Sequence, residues 1–184
     1  MLATRIISAV IGIFILVIIL AAGKVVLGLS ITMLAIIGIS EFYSAMSNAN
    51  IKPVKWVGFI ACLLLLPLGF DIFQDTAGKL YAYALLAVFV FFVISFTFML
   101  FGKERFSFID SLATYTGIIY VVFLLSFIIL TRNMENGSIL VWLIFICAWT
   151  TDTGAFFTGV ALGKHKLCPE ISPKKTVEGA IGGI

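Results

Sequence analysis

Apolar side chains run along this sequence in long stretches broken by short polar clusters. From Ile6 to Leu20 the only polar side chain is Ser8. A helix needs about 20 apolar residues to cross some 30 Å of hydrocarbon. The breaks fall at Gly23-Lys24, at 47–53, between Asp71 and Lys79, at 102–105 and from Arg132 to Gly137. Cutting there predicts six membrane-spanning helices, over 6–22, 26–46, 54–70, 80–101, 108–130 and 138–162. Asn, Gly and Pro in the breaks stop helices by adopting the left-handed conformation or by lacking an N–H. Strands of a membrane barrel alternate apolar and polar residues over about 10 positions, and these runs do not. The expected fold class is therefore all-α, a polytopic membrane helix bundle. After Leu162 comes a basic loop over 163–176, and then an apolar, Gly-rich run over 177–184 too short to cross a bilayer. That run reads as the start of a seventh helix, and the chain as an N-terminal fragment of a longer protein.

Composition agrees with a bilayer as solvent. Of 184 residues 62% are apolar and 11% charged, against about 25% charged in soluble domains. An aromatic share of 14% excludes disorder. The net charge is only +3, and no nucleic-acid partner is expected. The placement of the charges is more informative. Arg5, Lys52, Lys55, Lys103, Arg105, Lys164, Lys166, Lys174 and Lys175 fall on one side of the six-helix cut, against Lys24, Lys79 and Arg132 on the other. Cytoplasmic loops hold the excess of Lys and Arg, so the N-terminus and the 163–176 loop are expected in the cytoplasm. A cleaved signal peptide over 6–22 fits less well, because its apolar run is too long and no A-x-A site follows. Cys62, Cys147 and Cys168 lack the clustering of a disulfide framework or zinc site.

Most acidic residues have ordinary readings: Glu41 at an interface, Asp71 and Asp75 in an external loop, Asp110 at a helix start where a carboxylate is favoured. Asp152 differs. It lies about ten residues before the cytoplasmic end of the sixth segment, among Thr150, Thr151 and Thr153, and an unpartnered carboxylate within a membrane costs several kcal/mol. Helical spacing places Asp152, Phe156, Gly159 and Gly163 on one face, where small residues admit a helix or a ligand. Two readings stand: a functional carboxylate, or one hydrogen-bonded to neighbouring hydroxyls for packing. The loop that follows gathers Lys164, Lys166, Lys174 and Lys175 beside Ser172 and Thr176. Such a cluster traps anions, with phosphates as natural guests; equally, positive-inside loops meet anionic headgroups. A P-loop is excluded, since Gly159 precedes Gly163 by four residues instead of five and His165 replaces the Ser or Thr.

In these residues the sequence resembles the bacterial phosphatidate cytidylyltransferase (CDP-diacylglycerol synthase) family. Asp152-Thr153-Gly154-Ala155-Phe156-Phe157, Gly163-Lys164-His165-Lys166-Leu167, Ile171-Ser172-Pro173-Lys174-Lys175-Thr176 and Glu178-Gly179 resemble its D-T-G-A-Y, G-K-x-K-L and S-P-K-K-T-x-E-G blocks in order and spacing. Glu41 and Gly117-Ile118-Ile119-Tyr120 are weaker echoes. Val177 stands where the family commonly has Trp, and the family's C-terminal signature, rich in Asp, is absent.

The resemblance implies an integral enzyme of the bacterial cytoplasmic membrane that converts CTP and phosphatidate to CDP-diacylglycerol and pyrophosphate. It implies Mg²⁺ held by Asp152 together with carboxylates beyond residue 184. Lys174 and Lys175 are the expected catalytic phosphate contacts with Asp152, and Lys164, Lys166, Ser172, Thr176 and Glu178 the expected substrate-binding set. Membrane lipid is the surrounding partner, and the residues do not choose between a monomer and a homodimer. Two other functions fit the residues less fully: a transporter with Asp152 as its ion-coupling site, and a non-catalytic subunit that binds lipid through the basic loop.

Overall fold

The computed structural model describes residues 2–70 and 107–184, with Tyr83, Leu86, 89–90, 92–94, Phe96, Thr97 and Leu100 between them. The segment expected over 80–101 lies mostly outside the described residues, as do Asp71, Asp75, Lys79, Lys103 and Arg105. Helix dominates what is described. The chain divides into two units, Met1–Gly137 and Ser138–Ile184.

The first unit contains α1 (Leu2–Ala21), α2 (Lys24–Asn48), α3 (Lys55–Leu63), α4 (Leu65–Gly69), α5 (Phe108–Gly117) and α6 (Leu124–Asn133). A π-helical stretch over Ile118–Phe123 joins α5 to α6 without a break. The helix ends follow local chemistry. Gly23, between α1 and α2, has φ 105°, and Asn50, just past α2, has φ 62°; Gly and Asn are the residues that reach this region most readily.

Helix α2 is the hub of the unit. Leu27, Gly28, Ile31, Thr32, Ala35, Ile39 and Tyr43 are buried, a 3–4 spacing that makes one continuous stripe. Against it pack α1, α3, α4, α5, the π-helical stretch and α6. At Gly28 a β-carbon would lie 2.5 Å from the Cα of Gly69 in α4, so the two backbones touch where both residues lack side chains. A buried polar knot ties three elements together. The Tyr43 hydroxyl donates to the Thr114 carbonyl at 3.0 Å, and the Val54 N–H donates to Thr114 Oγ1 at 2.8 Å. Asp110 accepts from the Lys52 N–H at 2.6 Å and from the Ser107 N–H at 2.8 Å, closing a capping box at the start of α5.

The expected span over 54–70 appears as two short helices that part at Leu64. Pro67 has no N–H to offer the carbonyl of residue 63, and its ring crowds that carbonyl, so the helix opens there. Fifteen residues of helix rise only about 22 Å. Three described helices are long and apolar enough to cross a membrane: Lys24–Asn48, Phe108–Asn133 and Gly137–Leu162. Ile7–Ala21 and Lys55–Gly69 are shorter and apolar.

The second unit is a helix, a hairpin and a helix. Helix α7 (Gly137–Leu162) precedes strands β1 (Lys166–Cys168) and β2 (Ser172–Thr176), and the short α8 (Val177–Gly182) follows directly. The stretch expected as a loop over 163–176 is thus an antiparallel hairpin. Asn136, with φ 57°, precedes α7.

Candidate active site

The glycines of the last forty residues exist for one contact. Helix α8 lies along α7 in the reverse direction, with Thr176 at the level of Gly159 and Gly163, and Gly183 at the level of Thr151. A β-carbon on Gly154 would stand 2.5 Å from the carbonyl oxygen of Gly182, and one on Gly179 2.9 Å from the carbonyl oxygen of Ala155. On Gly182 it would collide with the Thr158 side chain. No other residue type fits these positions without displacing a helix, since packed interiors leave no slack of this size.

This contact uses a stripe adjacent to the one expected. Gly159 does face α8, at Gly179, and Gly163 packs on Thr176, which caps that helix. The centre of the contact is Thr151, Ala155 and Thr158, one step round the helix from Asp152. Asp152 and Phe156 therefore lie on its flank, and both are exposed. The Asp152 side chain has no hydrogen bond or ion pair with any described residue. Neighbouring hydroxyls do not satisfy it: Thr150 donates instead to the carbonyl of Ile146 at 2.8 Å.

The hairpin presents the cations. Lys166 pairs with Thr176 and Cys168 with Ser172. Between these pairs, one residue of β1 faces three of β2, Pro173, Lys174 and Lys175. Proline cannot donate to a ladder, and the surplus residues bulge out. Lys164, Lys166, Lys174 and Lys175 are all exposed, and Ser172 is half-buried. Thr176 is buried at 9% exposure. Its oxygen accepts the N–H of Gly179 at 3.2 Å, capping α8, which leaves its hydroxyl proton as the group still free to donate.

Glu178 closes the base of the hairpin. It accepts the N–H of Lys164 at 3.1 Å and that of His165 at 3.2 Å. His165 Nδ1 lies 2.6 Å from its Oε1. Beside them, the Val177 N–H donates to the His165 carbonyl at 2.9 Å. The imidazole hydrogen bond, with the backbone donors, holds the Glu178 carboxyl down to about 2, so it is ionised throughout the physiological range. Nothing near His165 in the sequence offers it a metal-ligand companion. Its partner is thirteen positions away and shares no helix face with it, so only the hairpin pairing reveals the link.

Comparison with known proteins adds the lineage of this arrangement. A family model described as "Cytidylyltransferase family" matches residues 3–184. The chain belongs to the cytidylyltransferase family. It is similar to the phosphatidate cytidylyltransferases of Staphylococcus epidermidis, 34% identical over 183 residues, of Staphylococcus saprophyticus, 33% over 181 residues, and of Staphylococcus aureus, 32% over 183 residues. Each alignment covers 98% of this chain and 66% of the relative. The chain thus spans about two-thirds of the length of these relatives. No solved structure matches it.

The donor set of this cytidylyltransferase-family chain bears on a metal. Among the described residues no three His, Cys, Asp or Glu side chains gather closely enough to hold an ion. Mg²⁺ binds through one or two carboxylates, the rest of its shell being phosphate oxygens and water. The exposed, unpartnered carboxylate of Asp152 suits one such position.

Proposed function

We propose that this chain supplies substrate-binding residues of a membrane enzyme that joins CTP to phosphatidate, forming CDP-diacylglycerol and releasing pyrophosphate. The observation that carries the reading is the hairpin: four exposed lysines, none paired with a carboxylate among the described residues, at the end of an apolar helix bearing Asp152. Membership of the family and the relatives' names agree with it.

Two anionic reactants have to meet for this reaction. A phosphate oxygen of phosphatidate attacks the α-phosphorus of CTP, the bond to the β-phosphate oxygen breaks, and pyrophosphate leaves with that electron pair. Such transfers depend on positioning and on neutralising charge. Lys174 and Lys175, thrust outward by the β2 bulge, take the triphosphate. Lys166 on β1 and Lys164 just before it add their charge to the same anion site, and the hydroxyls of Ser172 and Thr176 donate to it. Asp152 would hold Mg²⁺, which supplies further neutralisation of phosphate oxygens when bound. The acyl tails of the lipid stay in the bilayer beside α7 while its headgroup reaches the lysines.

The same reading sets the topology. On it the chain makes six spans and the start of a seventh, cut at the polar breaks, and the excess of basic residues puts the N-terminus and the 163–176 hairpin in the cytoplasm. The full-length protein in detergent micelles tests the chemistry. With labelled CTP, a lipid-soluble product is expected only when phosphatidate and Mg²⁺ are both present, and Asp152→Asn should lower turnover at least about 100-fold. A full rate in that variant refutes the role of Asp152. Absence of labelled lipid from the wild type refutes the function.

A further inference from the structure

A carboxylate placed among four ammonium groups ordinarily pairs with one of them, and an intramolecular pair of that kind competes with an anionic ligand. Glu178 is such a carboxylate, in the first turn of α8 and next to a hairpin carrying Lys164, Lys166, Lys174 and Lys175. It does not pair with them. Its oxygens take the main-chain N–H groups of Lys164 and His165 and the ring nitrogen Nδ1 of His165. At 2.6 Å the last contact is as short as a charge-assisted hydrogen bond becomes. The imidazole itself is 79% exposed, so it fills no core and its place is explained only by the carboxylate it meets.

We propose that His165 is a positioning residue for nucleotide binding: by occupying Glu178 Oε1 it withholds that carboxylate from the lysines and keeps all four available to phosphate. The inference rests on the hairpin being the phosphate-binding element. Removing the ring leaves Oε1 with only the His165 N–H, at 3.3 Å, and frees it to turn toward the ammonium groups of the same hairpin. The carboxylate then competes with the triphosphate. Competition of this kind weakens ground-state binding and leaves the reaction of bound nucleotide unchanged, which raises KM with kcat preserved.

The test measures steady-state turnover of the full-length protein in micelles, with CTP varied at saturating phosphatidate and Mg²⁺. His165→Ala should raise KM for CTP about tenfold, the size of a lost charged hydrogen bond, with kcat within about twofold. His165→Asn places an amide N–H where Nδ1 stands and should restore a KM within about twofold of wild type. His165→Gln carries its N–H one bond further out and should behave like Ala. The Asn and Gln pair carries the test even if the Ala variant does not accumulate. An unchanged KM in His165→Ala and His165→Gln, an equal fall in kcat, or equal rescue by Asn and Gln overturns the role of His165 while wild-type turnover still upholds the function. A wild type that neither binds nor converts CTP overturns the function and this inference together.

Discussion

The contact between α7 and α8 decides where Thr176, and hence the root of the hairpin, is held, and Gly154→Ala tests it directly. The added β-carbon would sit 2.5 Å from the Gly182 carbonyl oxygen, whereas ordinary contact begins near 3.4 Å. Helix α8 has to retreat by about 1 Å, losing part of its dispersion contact along the whole stripe. Overpacking of this kind costs about 1–3 kcal/mol. Alanine also favours α7 over glycine by about 1 kcal/mol, but α7 gains that with α8 docked or undocked, so it does not offset the loss. At 1.4 kcal/mol per decade the docked population of α8 should fall about 5- to 150-fold relative to the undocked. Hydrogen exchange of the α8 amides in micelles reads this equilibrium. Gly12→Ala is the control, because nothing lies within 4 Å of a β-carbon there, and it should leave α8 protection unchanged. Wild-type protection of α8 in Gly154→Ala would refute the close helix contact.

Three further outcomes are expected. Thr114→Val strands the buried Val54 N–H that now donates to Thr114 Oγ1, at about 1–3 kcal/mol, and should lower the melting temperature in micelles, whereas the exposed Thr116→Val should not. The Glu178 carboxyl, held at about 2 instead of its ordinary 4.5, contributes hairpin stability that is complete above pH 4.5 and is lost as pH falls through 2. Exchange protection of the Lys164 and His165 amides should therefore persist at pH 4 and vanish near pH 2, and loss of it near pH 4.5 would show the carboxylate to be unpaired. Lys174→Ala and Lys175→Ala should each raise KM for CTP, with Lys→Arg a poorer substitute than charge alone implies, because a guanidinium fork differs in shape from a point charge; unaltered KM in both Ala variants would remove the lysines from the site.

The helical character of the long apolar runs was legible because it depends on composition and on residues that stop helices. Gly23 and Asn50 mark such ends in the alphabet itself, and both take positive φ. The break at Leu64 was less legible. Pro67 reads as a kink, but a count of apolar residues over 54–70 says nothing of whether the carbonyl of residue 63 keeps a donor. The hairpin was hidden for a different reason. Lys166–Cys168 and Ser172–Thr176 show no alternation of apolar and polar residues, and their pairing is fixed from outside, by Thr176 capping α8 and by Glu178 holding Lys164 and His165. At the site, helical spacing gave the residues that share a stripe with Asp152, but no rule of spacing tells which stripe a partner helix takes. The thread of glycines and threonines at 151, 154, 158, 159, 179 and 182 was the available signal, and it required reading both sides of the hairpin together.

Asp152 gains its meaning from that choice of stripe. Had α8 packed over it, the carboxylate would be enclosed between the two helices, and a packing role would account for it. Instead α8 takes the neighbouring stripe and leaves the carboxylate exposed on an apolar helix with no described partner. In a bilayer such a group costs several kcal/mol unless something ionic or strongly polar meets it. The second unit provides nothing of the kind from its own side chains, since its lysines sit on the hairpin and its other well-placed carboxylate, Glu178, is engaged at the hairpin base. Whatever meets Asp152 therefore comes from outside this unit, as a cation, a substrate or a further segment of polypeptide. On the proposed reading the first two serve one purpose: Asp152 would hold the cation, which would supply further neutralisation of the phosphate charge that the lysines bind.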